Sequence, residues 1–244
     1  MGEPDGPRRS LLDASLYDAI VLTAELYPEN RVRLLELADR LSRAQAGSPV
    51  PALPGWTVKD AYAHLTGLCV DVVEGRMDGA GTPAWTARQV RDRADRSLGD
   101  VSAELAARGP TLDTWLANAD DQQTVFVGYD VWNHHQDIRS AVGLAGERDD
   151  SQLAYLAASA LAAFDRRFRD AAAPGLRVIT DTGEWDLGDG APEATLYAND
   201  YEILRILFGR RSQEQIKSAR WDGSPEAYLD HLHLFELPTA DLVD

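Results

Sequence analysis

The sequence predicts a mostly α protein, an all-helical bundle followed by a small α+β domain. Three observations carry that reading. Apolar residues recur at helical spacing through most of the first 173 residues, and proline- and glycine-rich loops separate those runs. After Pro174-Gly175 the pattern changes to short β-branched segments with turn signals. The 244 residues allow one large domain or two small ones and are enough to bury a core without staples.

The elements follow in order. Residues 1–15, rich in glycine, proline and charge, read as a loose tail. Ser15 to Leu26, with Leu16, Ile20 and Leu22, reads as a short helix that Pro28 breaks. A second helix starts at Glu29 or Asn30 and puts Leu34, Leu37, Ala38 and Leu41 on one face. Gly47 to Gly55 holds three prolines and two glycines and is a loop. Thr57, with Asp60 three residues on, opens a capped helix carrying Tyr62, His64, Leu65 and Leu68 to about Glu74. Gly75 to Ala84 is a second loop, and Thr86 caps the next helix, through Arg96. Ser102 to Ala107 and Thr111 to Ala117 are short helices split by Gly109-Pro110. Gln123 to Val142 is a long helix stopped by Gly143, and Ser151 to Ala172 is another, rich in alanine. Leu176 to Thr180 and Glu184 to Leu187 pair as a hairpin about Gly183, with Ala194 to Ala198 a third strand. Tyr201 to Phe208, Gln213 to Ala219 and Pro225 to Phe235 close the chain as helices. No internal repeat or low-complexity tract is present.

Composition narrows the function. Hydrophobic residues are 44% and charged residues 26%, as in ordinary globular proteins. Lys+Arg is 24 against Asp+Glu 40, a formal charge of −16 that repels nucleic acid and anionic membrane surfaces. Cys69 is the single cysteine, which excludes an intrachain disulfide and a cysteine metal cage. Neither a signal peptide nor a membrane span is expected, so the expected address is the cytoplasm.

Chemistry concentrates in Asp130-Val-Trp-Asn-His-His-Gln-Asp-Ile-Arg139. Asp130, His134 and Asp137 stand at i, i+4 and i+7, on one helical face with apolar flanks. A carboxylate and an imidazole four apart can chelate one divalent ion. His64, on another helix, supplies the third ligand that a bundle-core site requires. Two histidines and a carboxylate leave one position open, the pattern of a catalytic rather than a structural metal. Ligand hardness favours zinc, with iron, nickel or manganese as alternatives. Against this stands the plain role of each histidine as a hydrogen-bonded core residue. His135, about 100° round the helix, faces solvent or another helix and is the rival ligand. His231 and His233 read as surface residues, and Cys69 as core. The run Arg88, Arg91, Arg93, Arg96, with Asp92 and Asp95 between, reads as a solvated ion-paired face. The Arg210-Arg211 pair at a helix start either binds a carboxylate or phosphate, or caps and solubilises.

Several segments together resemble one family. Pro54-Gly-Trp-Thr-Val-Lys-Asp-Ala-Tyr-Ala-His-Leu65, His134-His-Gln-Asp-Ile-Arg139 with Val142-Gly143, and Glu202 through Ser212 with Trp221-Asp-Gly resemble signatures of the mycothiol-dependent maleylpyruvate isomerase family, of the DinB-like superfamily. The likeness runs in order from about residue 29 to 236. It implies a DinB-like four-helix bundle at 29–173, after an N-terminal extension at 1–28, and a sterol-carrier-protein-like α+β domain at 174–244. It implies a metal, usually zinc, on His64, Asp130 and His134, Asp130 standing one methylene short of the family's glutamate. It implies mycothiol or a similar low-molecular-weight thiol as cosubstrate. The reaction implied is attack of the thiolate on a small anionic or electrophilic molecule, as an isomerase of the maleylpyruvate type or a thiol S-transferase. Asp137 and Arg210 are then the catalytic candidates, with Arg205 and Arg211 holding the cofactor or an anionic substrate. The expected assembly is a monomer or homodimer. The alternative is a metal- or ligand-binding DinB-like protein without turnover.

Overall fold

The computed structural model describes residues 16–118 and 124–244, so the expected tail and the expected helix start at Gln123 lie outside the described residues. Among the described residues the molecule is mostly helical, with one small mixed sheet. Its helical part is built on α1 (Leu16–Ala38), α3 (Val58–Val73), α5 (Leu98–Leu116) and α6 (Thr124–Ala141), with the short α2 (Arg43–Ala46) and α4 (Pro83–Arg91) between them. α1 packs on α5 and α6, and α3 on α4, α5 and α6. Helix α7 (Leu153–Asp170) leads into β1 (Leu176–Ile179), β2 (Glu184–Leu187) and β3 (Ala194–Tyr197), followed by α8 (Asp200–Leu207), α9 (Gln213–Ser218) and β4 (Arg220–Asp222). The sheet order is β2-β1-β3-β4. The expected hairpin pairs Leu176 with Leu187 antiparallel, β3 lies parallel to β1, and β4 returns antiparallel to β3.

Several boundaries follow their local chemistry. Thr57 and Asp60 form the reciprocal capping box that opens α3. Gly143, at φ 77°, follows α6 and takes the left-handed conformation that stops a helix. Others differ. α4 is capped by Thr82, with Pro83 at its first position, rather than by Thr86, because proline lacks only a donor that is free there anyway. Pro28 and Pro110 do not break helices: α1 and α5 run through them. Each forfeits a backbone bond, and burial of Leu26 and Tyr27 beside Pro28, and of Leu105, Leu112 and Leu116 around Pro110, outweighs the loss. Residues 225–235 fold as successive turns rather than a helix. The short capped α2 and strand β4 were not expected.

Two hydrophobic cores meet along α6. One holds Leu34, Tyr62, Leu65, Leu105, Leu112 and Ile138 from the bundle helices. The other joins α7 to the sheet and α8, through Leu156, Phe164, Phe168, Val178, Leu196 and Leu204. α6 gives Val127, Val131 and Ile138 to the first core and Tyr129 and Trp132 to the second. No helix among the described residues is long and apolar enough to cross a membrane.

Pro110 is exposed within α5. Pro110→Ala restores the bond to the Ala106 carbonyl and is expected to stabilise the chain by roughly 1–3 kcal/mol in urea unfolding. A loss of stability would mean that the bend itself is needed.

Candidate metal centre

His64 on α3 and Asp130 and His134 on α6 converge where the two helices pack. Their donor atoms all lie within 4.8 Å of one another. His64 Nε2 is 3.2 Å from Asp130 Oδ2, and His134 Nε2 is 3.4 Å from Asp130 Oδ1. Two ligand atoms on a tetrahedral zinc ion stand about 3.3 Å apart, so the separations suit a metal. The two imidazole rings meet edge to face at 5.1 Å, both buried, with Asp130 half-buried at the cleft.

The outer nitrogens settle which atoms face inward. His64 Nδ1 lies 2.7 Å from Gln89 Oε1, and Gln89 Nε2 donates to Asp71 at 2.7 Å. The amide therefore offers its oxygen to the ring, and His64 Nδ1–H is the donor. His134 Nδ1 lies 3.2 Å from Asp137 Oδ2, a carboxylate that only accepts. Both histidines thus turn Nε2 toward Asp130, with an acceptor holding each Nδ1, the arrangement that fixes a metal-binding tautomer once Nε2 is deprotonated. Gln89 reaches His64 because residue 67 is glycine: a Cβ there would come within 2.5 Å of Gln89 Cβ. Asp71 is held in turn by Arg76 and Arg88.

Electrostatics agree. Burial raises the Asp130 carboxyl, but His134 and His64 beside it outweigh this and hold it well below the usual carboxylate range. Burial lowers His134, but Asp130 and Asp137 more than reverse that and push it up to about 9. Burial, with Arg139 and Arg33 nearby, brings His135 down to about 3.

The other expected site residues divide. Asp137 is fully buried and meets Arg205 at 2.7 Å and Arg210 at 3.0 Å. Burial raises its carboxyl, and the two guanidinium groups hold it far down. Arg205, wholly buried, also pairs with Asp244 at 3.0 Å. Arg211 pairs with Glu202 and Asp244 at 2.7 and 2.8 Å. His135 is buried beside Glu147, apart from the three-ligand group. Cys69 is buried, and burial raises its thiol. α4 ends at Arg91 rather than Arg96; Arg93, just beyond it, is buried against Glu104 and Arg88 reaches Asp71, so the arginine run is not simply a solvated face. Gln89 and Asp71 escaped the sequence reading. The available signal was the His64, Gly67, Asp71 face of one helix, which parallels Asp130, His134 and Asp137 on the other.

A cleft of about 980 Å³ opens over the group. Trp56 stands over both imidazoles, 5.3 Å from His64 and 6.2 Å from His134, and Trp85 meets His64 edge-on. Of the expected arginines, Arg210 lines this cleft.

His134 at about 9 carries a proton at pH 7 in the metal-free chain, since that pH lies below its folded value. Zinc uptake at pH 7 is therefore expected to release about one proton, measured by calorimetry in buffers of different ionisation enthalpy. Release should fall off above pH 9, where the ring is already neutral. Gln89→Leu is expected to weaken zinc about 10–100-fold while the chain stays folded. Unchanged affinity would show that Gln89 does not orient His64.

No protein-family model matches the chain, and no curated protein matches it. Solved structures do. A crystal structure of a His-to-Ala mutant of the mycothiol-dependent maleylpyruvate isomerase aligns at TM-score 0.57 and 15% identity, over 83% of this chain and 92% of that one. A second crystal structure of the mycothiol-dependent maleylpyruvate isomerase aligns at TM-score 0.54 and 14% identity, with the same coverage. The chain thus has the fold of the family that its sequence motifs resemble.

Proposed function

We propose that this chain is a thiol-dependent metalloenzyme of the mycothiol-dependent maleylpyruvate isomerase type, with a DinB-like bundle. The carrying observation is the convergence of His64, Asp130 and His134 on one point, each outer imidazole nitrogen engaged, beneath an open cleft. A divalent ion held there, zinc by its donors, supplies Lewis acidity and lowers the pKa of a thiol so that thiolate exists near neutral pH. The chain's own residues do the rest. Gln89 and Asp137 fix the ring orientations. Arg205 and Arg210 keep Asp137 ionised, so that it accepts the His134 proton rather than offering one. Trp56 and Trp85 exclude water from the inner end of the cleft, which strengthens charge interactions there. In this reading Asp137 and Arg210 position the ligands, and the substrate meets the three-ligand group directly.

Purification without chelators is expected to give about one zinc per chain, lost in His64→Ala and in Asp130→Ala. With cobalt in place of zinc, mycothiol or N-acetylcysteine should produce a sulfur-to-metal charge-transfer band. Zinc lost in His64→Ala alone would move the carboxylate role away from Asp130. Full cobalt loading with no band for either thiol would favour a binding protein without turnover. Protein that takes up no metal from excess zinc would overturn the metalloenzyme reading.

A further inference from the structure

We infer that the electrophile taken by this cleft is an uncharged molecule with a bulky apolar body, not a small dicarboxylate. The inference rests on the thiol-enzyme reading for the reaction, and on the walls of the cleft for the substrate class. Two separate observations carry it.

The first is the lack of a free guanidinium or ammonium group in the described lining. Among the described residues lining the cleft, Arg210 is the one arginine or lysine. Its guanidinium is already engaged. Nε and Nη2 donate to Asp137 at 3.3 and 3.0 Å, Nη1 donates to the Phe208 carbonyl at 2.7 Å, and the face lies 5.6 Å from the Phe235 ring centre. The side chain is 7% exposed. Turning it toward an anionic substrate would strip a buried carboxylate of a partner, which is strongly unfavourable. Arg205 and Arg211, the other cations of this region, are spent on Asp137, Asp244 and Glu202 and do not line the cleft. The acidic lining residues are Asp130 and Glu236. With a divalent ion on His64, Asp130 and His134, the Asp130 carboxylate and a bound thiolate cancel its two charges, so a dianion would find no net positive centre there and no guanidinium clamp.

The second observation is where exposed apolar surface lies. Among the described residues, eight large hydrophobic side chains are exposed, and Met77, Phe126, Leu234 and Phe235 of these line the cleft. Phe126 is 57% exposed and Phe235 50%. Such surface is costly to leave in water and marks a binding site when it clusters. Trp56 and Leu68 continue the apolar wall inward to the histidines.

The test uses matched pairs that differ in charge and apolar bulk. Binding of dibutyl succinate and of succinate to the zinc-loaded chain is measured by calorimetry. Dibutyl maleate and maleate are then offered with N-acetylcysteine, and cis-to-trans conversion or thioether formation is compared with the uncatalysed rate. The ester is expected to bind at least about tenfold more tightly than the dianion. Phe126→Asp, at the mouth, should weaken the ester at least about fivefold and leave zinc content unchanged. Succinate binding as tightly as the ester would overturn the inference, as would ester binding indifferent to Phe126→Asp. Selective ester binding without turnover of either maleate would support the inference and count against the thiol-enzyme reading.

Discussion

The interaction on which the site depends is the buried contact of Asp137 with Arg205, Arg210 and His134. Asp137 lies on α6, and both arginines come from α8 and the turn that follows it. Charges this deep are tolerated only when paired, and removing one partner of a buried pair costs about 3–5 kcal/mol. The same carboxylate therefore fastens the C-terminal part of the chain to the bundle and sets the orientation of the His134 ring. Asp244 completes the arrangement by neutralising the far side of Arg205 and one edge of Arg211. Fold and site share these atoms, so neither can be altered alone.

His64 is supported by a different route to the same end. Its acceptor is an amide, Gln89, which is held by Asp71 between Arg76 and Arg88. The support comes from α4, a helix of nine residues that stays against α3 because Gly67 leaves room for the Gln89 side chain. α3 and α6 thus each carry a histidine on a face with a buried aspartate further along, one reached directly and one through an amide. Both rings present Nε2 to Asp130.

Helix α6 explains why a cleft exists here at all. It is shared by two cores that turn different faces of it, and Asp130, His134 and Asp137 occupy the strip between them. The loops on either side, one carrying Trp56 and the other Phe235, roof that strip without filling it. Where two cores meet, the packing that would otherwise bury an apolar helix face is interrupted, and polar ligands can stand there with access to solvent.

The sequence by itself determined the mostly helical class, the hairpin, the Thr57 cap and the Gly143 stop, because these depend on neighbours within a few residues. It also pointed to His64, Asp130 and His134, since helical spacing puts two on one face and the bundle brings the third. Local rules failed where distant packing outweighed them: the two prolines inside α1 and α5, Pro83 displacing Thr86 as the helix start, and the turns at 225–235. Only the tertiary structure decided what the arginines do. A guanidinium near a helix start has the same spacing whether it faces a ligand or a buried carboxylate. The choice was made by Asp137 and Asp244, 68 and 39 residues from Arg205 along the chain, and by the desolvation that forces buried charges to pair.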